Sequence, residues 1–190
     1  MNKLILTIST FITLASVGAA QAVQHIVVKL LDGAGAPIST GQVAVILKGD
    51  AYQDAKFDAG EYKCNPGKHC IKIFAGAVGF EAAVKKYPDE AGTVTIVMKP
   101  SPTKSSAIVH GRGPLPGIVG DVSVILDTDK RMYMYAHKIG LLQNGRPAQQ
   151  PLHFSLNRPI DAVSSTGSRF KIWVVDITQE ISVLEFTQPK

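Results

Sequence analysis

Short runs of alternating apolar and polar residues, cut at close intervals by glycine and proline, constrain this chain more than any other feature. Ile26, Val28 and Leu30 share one parity, and Val43, Val45 and Leu47 repeat it. Tyr62–Cys64, Ile71–Phe74 and Thr93–Met98 continue the pattern. Alternation of this kind sends successive side chains to opposite faces of a strand. Beyond residue 22 no segment sustains the 3.6-residue apolar period that an amphipathic helix requires. Short strands between turn residues predict an all-β chain built on an antiparallel β-sandwich.

The first 22 residues are of a different kind. Met1-Asn2-Lys3 is short and positive, Leu4–Val17 is uncharged and mostly apolar, and the small residues Ala20 and Ala22 close the segment. This order predicts a secretory signal peptide over residues 1–22, with the mature chain starting near Val23. The apolar run falls short of the roughly 20 residues a spanning helix needs, and no later segment approaches one. A soluble periplasmic or extracellular protein is expected, with no membrane span after signal cleavage. The formal net charge is +5, but Lys and Arg are dispersed. A nucleic-acid binder concentrates them on one stripe, so nucleic acid is not an expected partner.

The two cysteines frame the turn residues Asn65-Pro66-Gly67 in "EYKCNPGKHC". Cys64, His69 and Cys70 supply too few ligands for a structural zinc site, and the spacing is not the C-x-x-C of a redox motif. In an oxidising compartment the two are expected to pair with each other. Such a short loop would contribute about 2–2.5 kcal/mol in the chain-entropy model.

"VVKLLDGAGAPISTGQVAVIL", "DAGEYKCNPGKHCIKIFAGAVGF" and "TVTIVMK" together resemble the carboxypeptidase regulatory-like, or transthyretin-like, sandwich modules. Asp32, Gly35, Pro37, Ile38, Val43, Val45, Gly60, Tyr62, Gly67, Gly79 and Phe80 carry the likeness. The resemblance covers about residues 23–100. It implies an Ig-like/transthyretin-like antiparallel β-sandwich acting as a spacer, docking unit or accessory domain. A hydrolase branch of the transthyretin-like family carries a C-terminal Tyr-Arg-Gly-Ser motif, where this sequence reads "EFTQPK".

Residues 100–117, rich in proline, glycine and serine, read as a linker. The expected organisation is therefore a sandwich over 23–99, this linker, and a second small β-rich domain over 118–190. In the second domain "DVSVILDTDKRMYMYAHK" predicts a hairpin reversing at Asp127–Lys130, and "SRFKIWVVDITQEISVLEF" predicts another around Thr178–Gln179. Asp127 and Asp129 read as turn residues rather than calcium ligands, and no metal or cofactor is expected.

Period-two geometry within "RMYMYAHK" puts Met132, Met134 and Ala136 on one face and Arg131, Tyr133, Tyr135 and His137 on the other. The same phase in "PLHFSL" turns Leu152, Phe154 and Leu156 inward and His153 outward. Trp173 alternates with Ile172 and Val174, and is expected on an outer face too. An aromatic–cationic strip of Arg131, Tyr133, Tyr135, His137, His153 and Trp173 suits a protein interface or sugar stacking. Histidines are scattered, no G-x-S-x-G elbow occurs, and nothing selects a pair of carboxylates, so no catalytic residue is assigned. The expected function is non-catalytic binding of another envelope or secreted protein. A carbohydrate-binding or adhesin-like role and an unrecognised secreted hydrolase are the alternatives. Exposed sheet edges also make a dimer by strand pairing an option.

Overall fold

The computed structural model of the chain describes residues 25–66, 69–87 and 92–188. The expected signal peptide and Gly67 lie outside them. Eighteen strands and no helix occur among the described residues, so their fold is all-β, as the alternation predicts.

The first sandwich is built from β1 (Ile26–Leu31), β2 (Gln42–Leu47), β3 (Tyr52–Asp54), β4 (Lys56–Asp58), β5 (Glu61–Cys64), β6 (Cys70–Gly76), β7 (Ala83–Lys86) and β8 (Thr93–Val97). Sheet I runs β4-β5-β1-β8 and sheet II runs β3-β2-β6-β7. All pairings are antiparallel except β1 with β8. Between the sheets lie Ile26, Val28 and Leu30 of β1, with Val43, Val45, Ile73, Val94 and Ile96. Lys85 Nζ donates to the Thr95 carbonyl at 2.7 Å, placing a charge at the edge of β8, a common guard against strand addition.

Tyr62 pins a loop to this core. Its hydroxyl lies 2.9 Å from the carbonyl oxygens of both Ile38 and Gly41. A Cβ at Gly41 would fall 2.6 Å from Leu30 Cδ2 and 3.1 Å from the Tyr62 hydroxyl, so only glycine fits beneath the ring.

The second sandwich follows with β9 (Lys104–His110), β10 (Arg112–Pro114), β11 (Asp121–Leu126), β12 (Met132–His137), β13 (Ile139–Gln143), β14 (Arg146–Pro147), β15 (Leu152–Phe154), β16 (Ile160–Ser164), β17 (Arg169–Ile177) and β18 (Ile181–Thr187). Sheet III runs β14-β13-β16-β17-β18-β9 and sheet IV runs β10-β11-β12-β15. Met134, Phe154, Leu141, Ile172, Val174 and Phe186 are among the side chains packed between them.

One expectation is corrected by these elements. The linker expected over residues 100–117 contains strands β9 and β10, and β9 is buried along most of its length. Its serines are not tether residues. Ser105 Oγ accepts the Gly79 N–H at 2.9 Å, and Ser106 Oγ accepts the Ala77 N–H at 3.0 Å. Ser106 thus offers a buried backbone group a partner, and Ser105 a partly buried one. Cys64 and Cys70 are both free and buried in this structure. The segment between them is no hairpin within one sheet, since β5 belongs to sheet I and β6 to sheet II. Burial pushes the Cys64 thiol up to about 11. Burial, with the neighbouring Cys64 second, pushes Cys70 up to about 12.

A third apolar cluster joins the sandwiches. Ala44, Ile46 and Phe74, on the outer face of sheet II, pack against Ile108, Ile181 and Val183 on the outer face of sheet III. Consequently β2 and β6 are covered on both faces, which accounts for their unbroken apolar runs "VAVIL" and "IFA". The Ile108 N–H donates to Gln42 Oε1 at 2.8 Å, and the Ala82 N–H donates to Glu185 Oε1 at 2.8 Å. Close approach is possible because β6 ends in glycine: a Cβ on Gly76 would lie 3.1 Å from the Ala107 nitrogen.

Candidate functional site

The strongest candidate is the outer face of sheet IV. With Val122, Val124 and Met134 buried in the core, the alternate positions of β11 and β12 must point away from it. Register sets them in rows. Ile125 faces Tyr133, which faces His153, while Arg112 faces Ser123, which faces Tyr135. Asp121 faces His137. Tyr135 is 42% exposed and Ile125 41%, so both offer apolar surface to solvent. Tyr133 is half-buried, its ring edge-to-face with His153 at 5.7 Å and 74°. That contact fixes two planar groups side by side on a strand, so little entropy remains to be lost on binding.

The hairpin that positions Tyr133 forms as the sequence predicts. The Lys130 N–H returns to the Asp127 carbonyl at 3.0 Å, and the Arg131 N–H donates to Asp127 Oδ1 at 2.7 Å. The Arg131 side chain turns back to the same reversal and meets Asp129 Oδ2 at 2.6 Å. Foremost that hydrogen bond, with Tyr133 and Asp127 behind it, raises the Arg131 pKa above its ordinary value. Arg112 is likewise engaged, 2.9 Å from Asp121 Oδ2. Both guanidinium groups of this face thus carry carboxylate partners, and the aromatic centre between them is close to neutral.

A depression of about 270 Å³ opens beside Tyr135, walled by Arg112, Asp121, Ser123, His137 and Gln150. Gln150 Oε1 accepts the Ala136 N–H at 2.9 Å, closing the β12 edge beyond the short β15. Gly120 lets the chain enter this face. Its φ is +138°, and a Cβ there would fall 2.6 Å from the His137 carbonyl oxygen.

Sheet IV therefore gathers Arg131, Tyr133, Tyr135, His137 and His153 on one surface. Trp173 is not among them. It stands on β17 of sheet III, half-buried, with Lys104 Nζ 5.0 Å from its ring centroid. The two sheets pack through their inner faces, so their outer faces point in opposite directions. Leu156, expected inside, lies beyond the end of β15 and is 37% exposed. Ile125, Arg112, Asp121 and Gln150 belong to the site and were not expected there. The alternation in "DVSVIL" marks Ile125 as outward, whereas Arg112 sits in the stretch whose composition suggests a linker.

No family model matches this chain, and no solved structure matches it. Over 107 residues it is 24% identical to the 3′ cyclic ADP-D-ribose synthase AaTIR of Aquimarina amphilecti. The match covers 56% of this chain and 32% of that protein. The chain thus spans about a third of the length of this curated relative, and the synthase activity is a property of that protein.

Proposed function

We propose that this chain is an exported, non-catalytic binding protein that docks another envelope or secreted protein on the outer face of sheet IV. The observation that carries the proposal is the row Ile125–Tyr133–His153 with Tyr135 beside it. These are apolar and aromatic side chains, partly exposed, held on a strand framework and bordered by ion pairs. Interfaces draw much of their energy from aromatic anchors set within a polar rim. The second sandwich presents the face, and the first packs against the opposite side, leaving it uncovered. The resemblance of residues 23–100 to accessory sandwich modules supports the same role, as does the leader-like sequence over 1–22. Coupling the purified mature chain to a resin and challenging it with envelope and secreted fractions tests the proposal. One partner should be retained at fixed stoichiometry by the wild type and lost with Tyr133→Ala/Tyr135→Ala. Retention unchanged by the double variant refutes it.

A glycan is the second reading, favoured by the near-neutral charge of the face. Two engaged arginines leave aromatic rings and imidazoles, which suit the apolar faces and hydroxyls of a sugar. Release of the bound material by a soluble oligosaccharide, with little response to salt, would select this reading.

A further inference from the structure

A different surface carries chemistry that sheet IV does not. The first sandwich covers the outer face of sheet III only over β9, β18 and the end of β17. Over β13, β16 and the start of β17 that face stays open. Depressions of about 550 and 110 Å³ lie along it, and one of about 450 Å³ adjoins them at the margin between sheets III and IV, where Leu152, Phe154 and Ile160 line it. All three share Asp161, and the smallest also shares Leu142 with one and Arg169 with the other. They form one continuous groove, running from the wall made by Pro102 and Thr103 to the 152–160 segment at the edge of sheet IV.

Charge is distributed unevenly around this groove. The chain has five arginines. Arg112 and Arg131 face aspartates, while Arg146, Arg158 and Arg169 form no ion pair among the described residues. Arg158 and Arg169 line the groove. Arg146 is at its rim, following the lining residue Gly145. The three come from separate segments: β14, the 155–159 loop and β17. Asp161 is the one carboxylate lining the groove, and Lys171 Nζ already neutralises it at 3.0 Å. Unpaired cations set around adjoining depressions raise the local concentration of anions. Each free guanidinium offers a planar fork of donors matched to an oxyanion. Pro102 and Phe170 carry the lining toward an apolar character at one end.

We propose that this groove binds an organic oligoanion carrying phosphate or sulfate esters, with Arg158 and Arg169 as its principal contacts and Arg146 at the rim. One end of the groove meets sheet IV at β15, where His153 lines it, while Arg158 and Arg169 lie outside the docking face proposed above. Trp173 provides a reporter. It is the single tryptophan of the chain, on β17 two residues beyond Lys171.

The test is a fluorescence titration of the full mature chain with two probes, sodium tripolyphosphate and a heparin-derived sulfated hexasaccharide. At least one should shift Trp173 emission saturably. Binding by tripolyphosphate alone assigns the groove to phosphate groups, and binding by the hexasaccharide alone to a sulfated glycan. Arg158→Gln and Arg169→Gln should each weaken binding about tenfold, as expected for loss of a charge-assisted hydrogen bond. Arg169→Lys, which keeps the charge and loses the fork, should fall between wild type and Arg169→Gln. Arg112→Gln and Tyr135→Ala should bind as the wild type does. All these side chains are exposed, so melting temperatures should stay at the wild-type value. The proposal is overturned if neither probe shifts the emission at about 10 mM, a limit corresponding to negligible affinity. It is also overturned if Arg158→Gln and Arg169→Gln both bind as tightly as the wild type.

Discussion

Lys72 Nζ stands 2.8 Å from Asp176 Oδ2, joining β6 of the first sandwich to β17 of the second. Both side chains are about a quarter exposed, so the pair sits at the margin of the joint, while its centre is apolar. Phe74, fully buried, fills that centre. Phe74→Ala should therefore cost about 3–5 kcal/mol, the range for deleting a buried aromatic ring. Lys72→Ala should cost about 1 kcal/mol or less, because a partly solvated pair contributes little. Denaturant unfolding separates the two effects. The Phe74 variant should also split one transition into two, as the sandwiches lose their common core.

Gly76 makes a second, purely steric prediction. Its missing Cβ would meet the Ala107 backbone at 3.1–3.3 Å, and backbone cannot turn aside as a side chain can. Gly76→Val should destabilise by about 1–3 kcal/mol, read as a lowered midpoint in the same unfolding experiment. Gly79→Ala is a useful contrast. No atom lies within 4 Å of a Cβ there, so its cost arises from the positive φ of 78° alone.

The thiols predict a response to alkaline pH. Cys64 and Cys70 are pushed up to about 11 and about 12 by burial, from an ordinary value of 9.0. A raised folded pKa means that the native state holds its protons longer than the unfolded chain does. The stability this contributes is fully present below about pH 9 and is lost as pH rises through 11 to 12. Chemical unfolding of the reduced protein between pH 8 and 11 should show that decline, and Cys64→Ala/Cys70→Ala should flatten it. Alkylation of the folded protein at pH 8 should be far slower than in denaturant, since the thiolate is the reacting form.

Tyr62→Phe tests the loop anchor of the first sandwich. Removing the hydroxyl leaves the Ile38 and Gly41 carbonyls without their donor. The expected loss is about 1–2 kcal/mol, checked by thermal unfolding. The rings of sheet IV should remain unaffected, because they belong to the other sandwich.

Strand parity was legible in the sequence where one face of a strand is wet. Ile26, Val28 and Leu30 alternate with more exposed residues and lie buried as their spacing requires. Tyr135, His137 and His153 point outward on the same argument. Parity says which side of its own strand a residue occupies, but not which sheet the strand joins. Trp173 was placed correctly by face and incorrectly by sheet for that reason. The joint was written in "VAVIL" and in the "AIV" of β9, whose unbroken apolar runs mark burial on two faces. In β9 that run was obscured by neighbouring prolines and by Ser105 and Ser106, whose hydroxyls bond to backbone rather than to water. The groove on sheet III had no local signature. Arg146, Arg158 and Arg169 stand on separate segments, and only the fold sets Arg158 and Arg169 on adjoining depressions.

The most direct measurement of the central claim is site-specific photo-crosslinking in the intact cell. A photoreactive phenylalanine analogue replaces Tyr135 in one strain and Phe57, an exposed ring of the first sandwich (40%), in another. One discrete protein adduct from position 135 and none of that size from position 57 is the predicted result. No adduct at 135, or the same adducts from both positions, would contradict docking on sheet IV.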